Sequence, residues 1–120
     1  MTVPNARIRS WLFAPGDSAR KIEKAIASAA DQVILDLEDA VAPQGKHEAR
    51  RMVAAALEAE GEGRARIWVR VNPLSGGLTA DDLAAVMPAR PGGIMLPKAE
   101  SGADLVTLDA LMTPLEASPG

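Results

Sequence analysis

The sequence predicts a parallel α/β architecture made of consecutive strand–helix units. Three observations carry this expectation. Apolar runs of strand length alternate with longer stretches of helical period, the second run is apolar almost throughout, and each run ends in a cluster of polar, glycine or proline residues. The first run, Ser10 to Ala14, stops at Pro15-Gly16. From Ser18 onward, Ile22, Ala25, Ile26 and Ala29 recur at helical spacing and mark one face of a helix. Gln32 to Leu37 is a near-continuous apolar run, the pattern of a strand covered on both faces. Lys46 to Glu60 places Ala49, Met52, Val53, Ala56 and Leu57 on one side and ends at the breaker Gly61-Glu62-Gly63.

Ile67 to Val71 supplies a third strand, closed by Asn72-Pro73. Thr79, with Asp82 three residues on, reads as a capping box that opens a short helix through Leu83 and Val86 to Met87. Gly93 to Pro97 is the fourth strand. Ser101 and Asp104 read as another capping box, and Leu105, Leu108, Leu111, Met112 and Leu115 form the apolar stripe of a fourth helix. Four such units in 120 residues make one domain, 1–120, with no internal boundary. They fit about half of an eight-unit barrel, which typically needs about 250 residues. A five-strand flavodoxin-like sheet lacking one strand fits almost as well, and periodicity does not choose between the two.

Composition narrows the function. A hydrophobic fraction of 48% with 24% charged residues excludes a disordered chain. Thirteen Lys and Arg against sixteen Asp and Glu give a net charge of −3, which argues against nucleic acid and anionic membranes as partners. Without cysteine there is no disulfide, thiolate nucleophile or Cys-ligated metal. No apolar run reaches the roughly 18 residues of a membrane span, and the apolar patch after Arg7 and Arg9 is too short for a signal peptide. A cytoplasmic location is expected.

In a parallel α/β fold the chemistry sits where strands end and helices begin. Asp36 lies inside an apolar strand, so its charge needs a partner. Asp36 and Glu38 share one face by the two-residue period, and Asp39 follows. Three carboxylates at a strand end suit a hard cation such as Mg²⁺, held directly or through water, or else an ion-pair network that orients the loops. Arg70, inside the third strand, calls for an anion, either a substrate carboxylate or Asp36 or Glu38 on the adjacent strand. Gly16 allows a tight turn, and the helix beginning near Ser18 offers N–H groups to an anion. An ordinary strand–helix turn explains that spacing as well. Lys98, after Pro97, is a candidate Schiff-base or electrostatic lysine, although most lysines at strand ends are only solvated. His47 falls on an exposed helix face with no second histidine to pair with, and Arg50-Arg51 beside it reads as solvated helix surface.

Four ordered segments carry a resemblance: Arg9 to Asp17; Val33 to Pro43 with Lys46 and Ala49-Arg50; Val69 to Pro73; and Gly93 to Glu100. Together they resemble the citrate lyase β-subunit-like and malyl-CoA lyase group of the HpcH/HpaI aldolase family, from about Arg7 to Glu116. The resemblance implies a (β/α)8 TIM barrel of the PEP/pyruvate type, of which this chain supplies the first four units. It also implies Mg²⁺- or Mn²⁺-dependent carbon–carbon bond cleavage or formation on a 2-oxo acid, with acyl-CoA as substrate, in a homo-oligomer. It assigns Arg70 to the oxo acid, together with Pro97 and Lys98, and places Asp36, Glu38 and Asp39 around the metal's water. Phe13, Gly16, Ser18 and Lys24 lie near the CoA. The family's metal-ligating glutamate and aspartate come from the fifth and sixth strands. They are therefore expected beyond Gly120, with no metal ligand in this chain, and the isolated chain is expected to be inactive. The alternatives are a CoA-independent aldolase that releases pyruvate and a non-catalytic half-barrel assembly module.

Overall fold

The computed structural model describes residues 10–97, 107, 108, 110–113 and 115. Four strands, β1 (Trp11–Pro15), β2 (Gln32–Asp36), β3 (Ile67–Arg70) and β4 (Gly93–Met95), form one parallel sheet in that order. Each strand lies beside its sequence neighbour, so Phe13, Ile34, Trp68 and Gly93 stand in one row across the sheet, and Pro15, Asp36, Arg70 and Met95 in the next. A flavodoxin-like sheet reverses direction after its first strands, whereas this chain advances one way only. That progression is the wall of a barrel, the outcome expected from the resemblance.

Three helices, α1 (Ala19–Ala27), α2 (Lys46–Glu60) and α3 (Thr79–Val86), connect the strands. They bury Ile22, Ala25, Ala49, Val53, Leu57, Leu83 and Val86 against Ala14, Val33, Leu35, Ile67 and Val69 of the sheet. Those strand residues alternate with Trp11, Phe13, Ile34, Trp68 and Arg70, which therefore face the other side. Trp11 and Phe13 are 44% and 48% exposed there, so the barrel-interior face is open along β1. Trp11 meets Trp68 edge-on at 5.8 Å. Gly93 makes room for the Trp68 ring, because a Cβ at that position would stand 2.5 Å from the indole carbons.

The element boundaries follow the sequence reading closely, and the differences have local causes. Helix α2 spans the expected residues. Helix α1 stops at Ala27 instead of running on to Ala29, because the Ser28 hydroxyl donates to the Ala25 carbonyl at 2.6 Å. The Arg66 guanidinium then covers the helix end, donating to the carbonyls of Ile26, Ser28 and Ala30. The expected capping box at Thr79 does not form. Leu78 occupies the N-cap, and Thr79 and Asp82 turn inward, Thr79 donating to the Asn72 carbonyl and Asp82 accepting from the Asn72 backbone and side chain. Arg50 is likewise not a solvated residue, since its Nε donates to Asp82 at 2.8 Å and its side chain is only 13% exposed. Arg51 stays on the surface, as expected. Ser101, Asp104 and Leu105 lie outside the described residues. Leu108 is buried in the core, and Leu111, Met112 and Leu115 pack against it. Among the described residues no helix is long and apolar enough to cross a membrane.

Candidate functional site

The C-terminal ends of β1, β2 and β3 surround a cavity of about 400 Å³ lined by Phe13, Pro15, Asp36, Asp39, Ala40 and Arg70. Parallel register creates it. Asp36 and Arg70 are the last residues of adjacent strands and stand directly opposite one another on the barrel-interior face. Arg70 grips Asp36 with both ends of its fork, Nε to Oδ1 at 2.9 Å and Nη2 to Oδ2 at 2.8 Å. Phe13, on the next strand, presents its ring to the guanidinium 5.0 Å away.

Asp36 is 2% exposed and fully engaged. Besides Arg70, its oxygens accept from the backbone N–H of Glu38 at 2.9 Å and of Ala40 at 3.0 Å. Burial pushes its pKa up, but the Arg70 hydrogen bonds and the two N–H groups outweigh this and hold the carboxyl below the ordinary aspartate range. The hydrogen bonds to Asp36 raise Arg70 above the usual arginine value, against the opposing effect of burial. Asp36 therefore holds the Arg70 guanidinium in one orientation. Among the described residues Nη1 of Arg70 has no hydrogen-bond partner. That nitrogen belongs to a residue lining the cavity and is the group left to receive an anion.

Glu38 is buried, with Oε1 3.7 Å from Arg70 Nε, and Asp39 is exposed on the cavity wall. Among the described residues, Asp36, Glu38 and Asp39 thus stand near the Arg70 guanidinium. Among the described residues, however, no group of three acidic or histidine side chains is placed to hold a metal ion. The four hydrogen bonds on Asp36 also leave it no lone pair for one. These residues do not fit Mg²⁺ as direct ligands.

Turn 37–41, which carries Glu38 and Asp39, is fastened by residues the sequence reading gave no role. Lys46 Nζ donates to the carbonyls of Leu37, Glu38 and Val41 at 2.8, 3.0 and 3.1 Å. Asn72 Nδ2 donates to Leu37 O at 3.0 Å and to Asp82 Oδ2 at 2.7 Å. The available signal was Lys46 itself, a cation at a helix N-terminus where the helix dipole disfavours it.

Gly16 is buried, and its N–H donates to the Asp36 carbonyl at 2.8 Å, so that amide is not free for an anion. A Cβ at Gly16 would lie 2.8 Å from the same oxygen, which explains the glycine. Ser18 caps α1 by accepting from Lys21 N–H. Lys24 is exposed in the last turn of α1, about 8 Å along the axis from the helix start at a rise of 1.5 Å per residue. Pro97 is half-buried just beyond β4, and Lys98 lies outside the described residues. His47 is exposed on α2. A larger cavity of about 560 Å³, between α1 and α2, is lined mainly by alanine, isoleucine and methionine and lies on the outer wall, away from the strand ends.

The sequence profile of the HpcH/HpaI aldolase/citrate lyase family matches residues 9–118. A (3S)-malyl-CoA thioesterase of Cereibacter sphaeroides is 41% identical over 107 residues, covering 89% of this chain and 38% of that protein. An L-malyl-CoA/beta-methylmalyl-CoA lyase of the same species is 38% identical over 115 residues, covering 93% and 36%. Among solved structures, the citrate lyase beta subunit of Mycobacterium tuberculosis complexed with oxaloacetate and magnesium superimposes with a TM-score of 0.65 at 42% identity, covering 82% of this chain and 42% of that one. The CitE protein of the same organism, in complex with magnesium, acetoacetate and coenzyme A, gives 0.64 at 42% identity over 82% and 35%. The chain therefore spans less than half the length of the proteins it matches. By the match along nearly all of its own length, the chain belongs to the HpcH/HpaI aldolase/citrate lyase family.

Proposed function

We propose that these four units form the 2-oxo-acid-binding side of a carbon–carbon lyase acting on a 3-hydroxyacyl-CoA of the malyl- or citramalyl-CoA kind. The observation that carries this reading is the Arg70 guanidinium, which lines the mouth, is fixed by Asp36 through Nε and Nη2, and keeps Nη1 without a hydrogen-bond partner among the described residues. In such a reaction the substrate hydroxyl loses its proton and the adjacent C–C bond breaks. The electron pair passes to the thioester enolate, which is then protonated, and the other half leaves as a 2-oxo acid. Arg70 receives the carboxylate of that acid through Nη1. Asp36 keeps the fork from turning, and Phe13 backs it with an apolar ring.

Mg²⁺ is the cofactor of the full barrel in this reading, on the support of the magnesium complexes among solved relatives. Its direct ligands belong to barrel units other than the four described. Phe13, Gly16 and Ser18 shape the first loop against the CoA, and Lys24 serves a CoA phosphate, as the family resemblance implies.

A thioesterase among the relatives motivates a second reading, in which the same substrate loses CoA by hydrolysis. The deciding assay gives malyl-CoA and citramalyl-CoA, with Mg²⁺, to a protein that carries these units within a complete barrel. Glyoxylate or pyruvate formed together with acetyl-CoA supports the lyase. Free thiol without oxo acid supports the thioesterase. Pyruvate released only from a CoA-free hydroxy-oxo acid supports the aldolase.

A further inference from the structure

We propose that Lys46 is a positioning residue whose ammonium serves as a built-in cation at the centre of turn 37–41, setting where Glu38 and Asp39 stand at the mouth. Three ammonium protons meet three carbonyls, those of Leu37, Glu38 and Val41, between 2.8 and 3.1 Å. This satisfies the whole donor capacity of the group and converts the turn into a ring closed on one atom.

Two further bonds show that the ring is coupled to the substrate-facing pair. Asp36 accepts from Glu38 N–H and Ala40 N–H inside the same turn while holding Arg70. A shift of the turn therefore shifts the carboxylate that aims the guanidinium. The placement is specific, because Lys46 is the first residue of α2 and no side chain caps that helix. A cation there opposes the helix dipole, and the carbonyl ring compensates for it. Without the ammonium, Leu37 O would keep only Asn72 Nδ2 and Glu38 O only Val41 N–H as donors among the described residues, and the three converging oxygens would repel one another with no cation between them.

The inference rests on the lyase reading for its kinetic arm only. In the 120-residue chain, Lys46→Met is expected to accelerate amide exchange at Ala40 and Val41 by about tenfold or more while Val33 and Val69 stay protected. Unchanged exchange at Ala40 and Val41 would overturn the proposal. If Lys46→Met does not fold, Lys46→Arg and Lys46→Ala take its place, with the same amides read and methylammonium added to the alanine variant. Restored protection at Ala40 and Val41 on adding methylammonium supports the built-in cation, and its absence contradicts it.

In a complete lyase barrel, Lys46→Ala is expected to lower kcat about 10- to 100-fold, with recovery in methylammonium and little change in KM for the thioester. A KM effect alone, or a kcat loss that methylammonium leaves untouched, would overturn it. Absence of lyase activity in the unsubstituted protein would sink the proposed function, while the exchange arm would still decide the role of Lys46.

Discussion

Asp36 is saturated with hydrogen bonds. A buried carboxylate with four hydrogen bonds is neither a base nor a metal ligand, and its charge is spent on fixing Arg70. This has a consequence for pH. Because the folded carboxyl titrates below its unfolded value, the stability it contributes is fully present above the ordinary carboxylate pKa and is lost as pH falls through the lower folded one. Asp36→Asn should remove this component, flattening the dependence of the urea midpoint on pH in the acid range. At neutral pH it should cost about 3 kcal/mol, the lower end for breaking a buried pair, because Arg70 still reaches solvent. An acid profile unchanged by the substitution would contradict the pairing. The same residue shows what the sequence could tell. A charge inside an apolar strand announces that a partner exists, but the choice between a hard cation and an ion pair with Arg70 depended on a strand register that one strand does not contain.

At the scale of elements, the link between α2 and α3 runs through Asp82, which is wholly buried and accepts from Arg50 and from both the backbone and side chain of Asn72. Asp82→Ala should leave the Arg50 guanidinium and the Asn72 donors unpaired, at a cost of about 3–5 kcal/mol. Thermal melting should fall by roughly 15 °C or more, measured by circular dichroism. The double variant Asp82→Ala, Arg50→Met should recover part of that loss, since it removes the stranded charge. Strands and helices were legible because period depends on neighbours a few residues apart. The Arg50–Asp82 bond spans 32 positions, so a pattern read along α2 sees only an arginine beside other polar residues. The same distance effect made Thr79 and Asp82 look like a capping box, when the Asn72 loop competes successfully for both side chains. Lys46 escaped notice for a related reason, because three backbone carbonyls leave no trace in side-chain spacing.

For the whole molecule, a sheet that advances strand by strand with its helices on one side is a segment of barrel wall, and the C-terminal strand ends at its mouth are where barrels of this kind carry their active sites. Trp11 and Phe13 stand exposed on the interior face, the face that the other units of a barrel cover. The pair formed by Asp36 and Arg70 is nevertheless complete within these units, whereas no metal-holding set exists among the described residues. On the proposed lyase reading, the fixed guanidinium is what these units offer to an oxo acid. The most direct test of this account is the kinetics of Arg70→Lys, measured as 2-oxo acid released from malyl- or citramalyl-CoA with Mg²⁺ saturating, in a protein carrying these units within a complete barrel. A lysine keeps the charge but loses the fork, and the account predicts a fall in kcat/KM of about 10- to 100-fold, as expected for losing a charge-assisted hydrogen bond of about 1.5–3 kcal/mol. Activity retained within about twofold would contradict it, because oxo-acid binding would then not depend on the guanidinium that Asp36 holds in place.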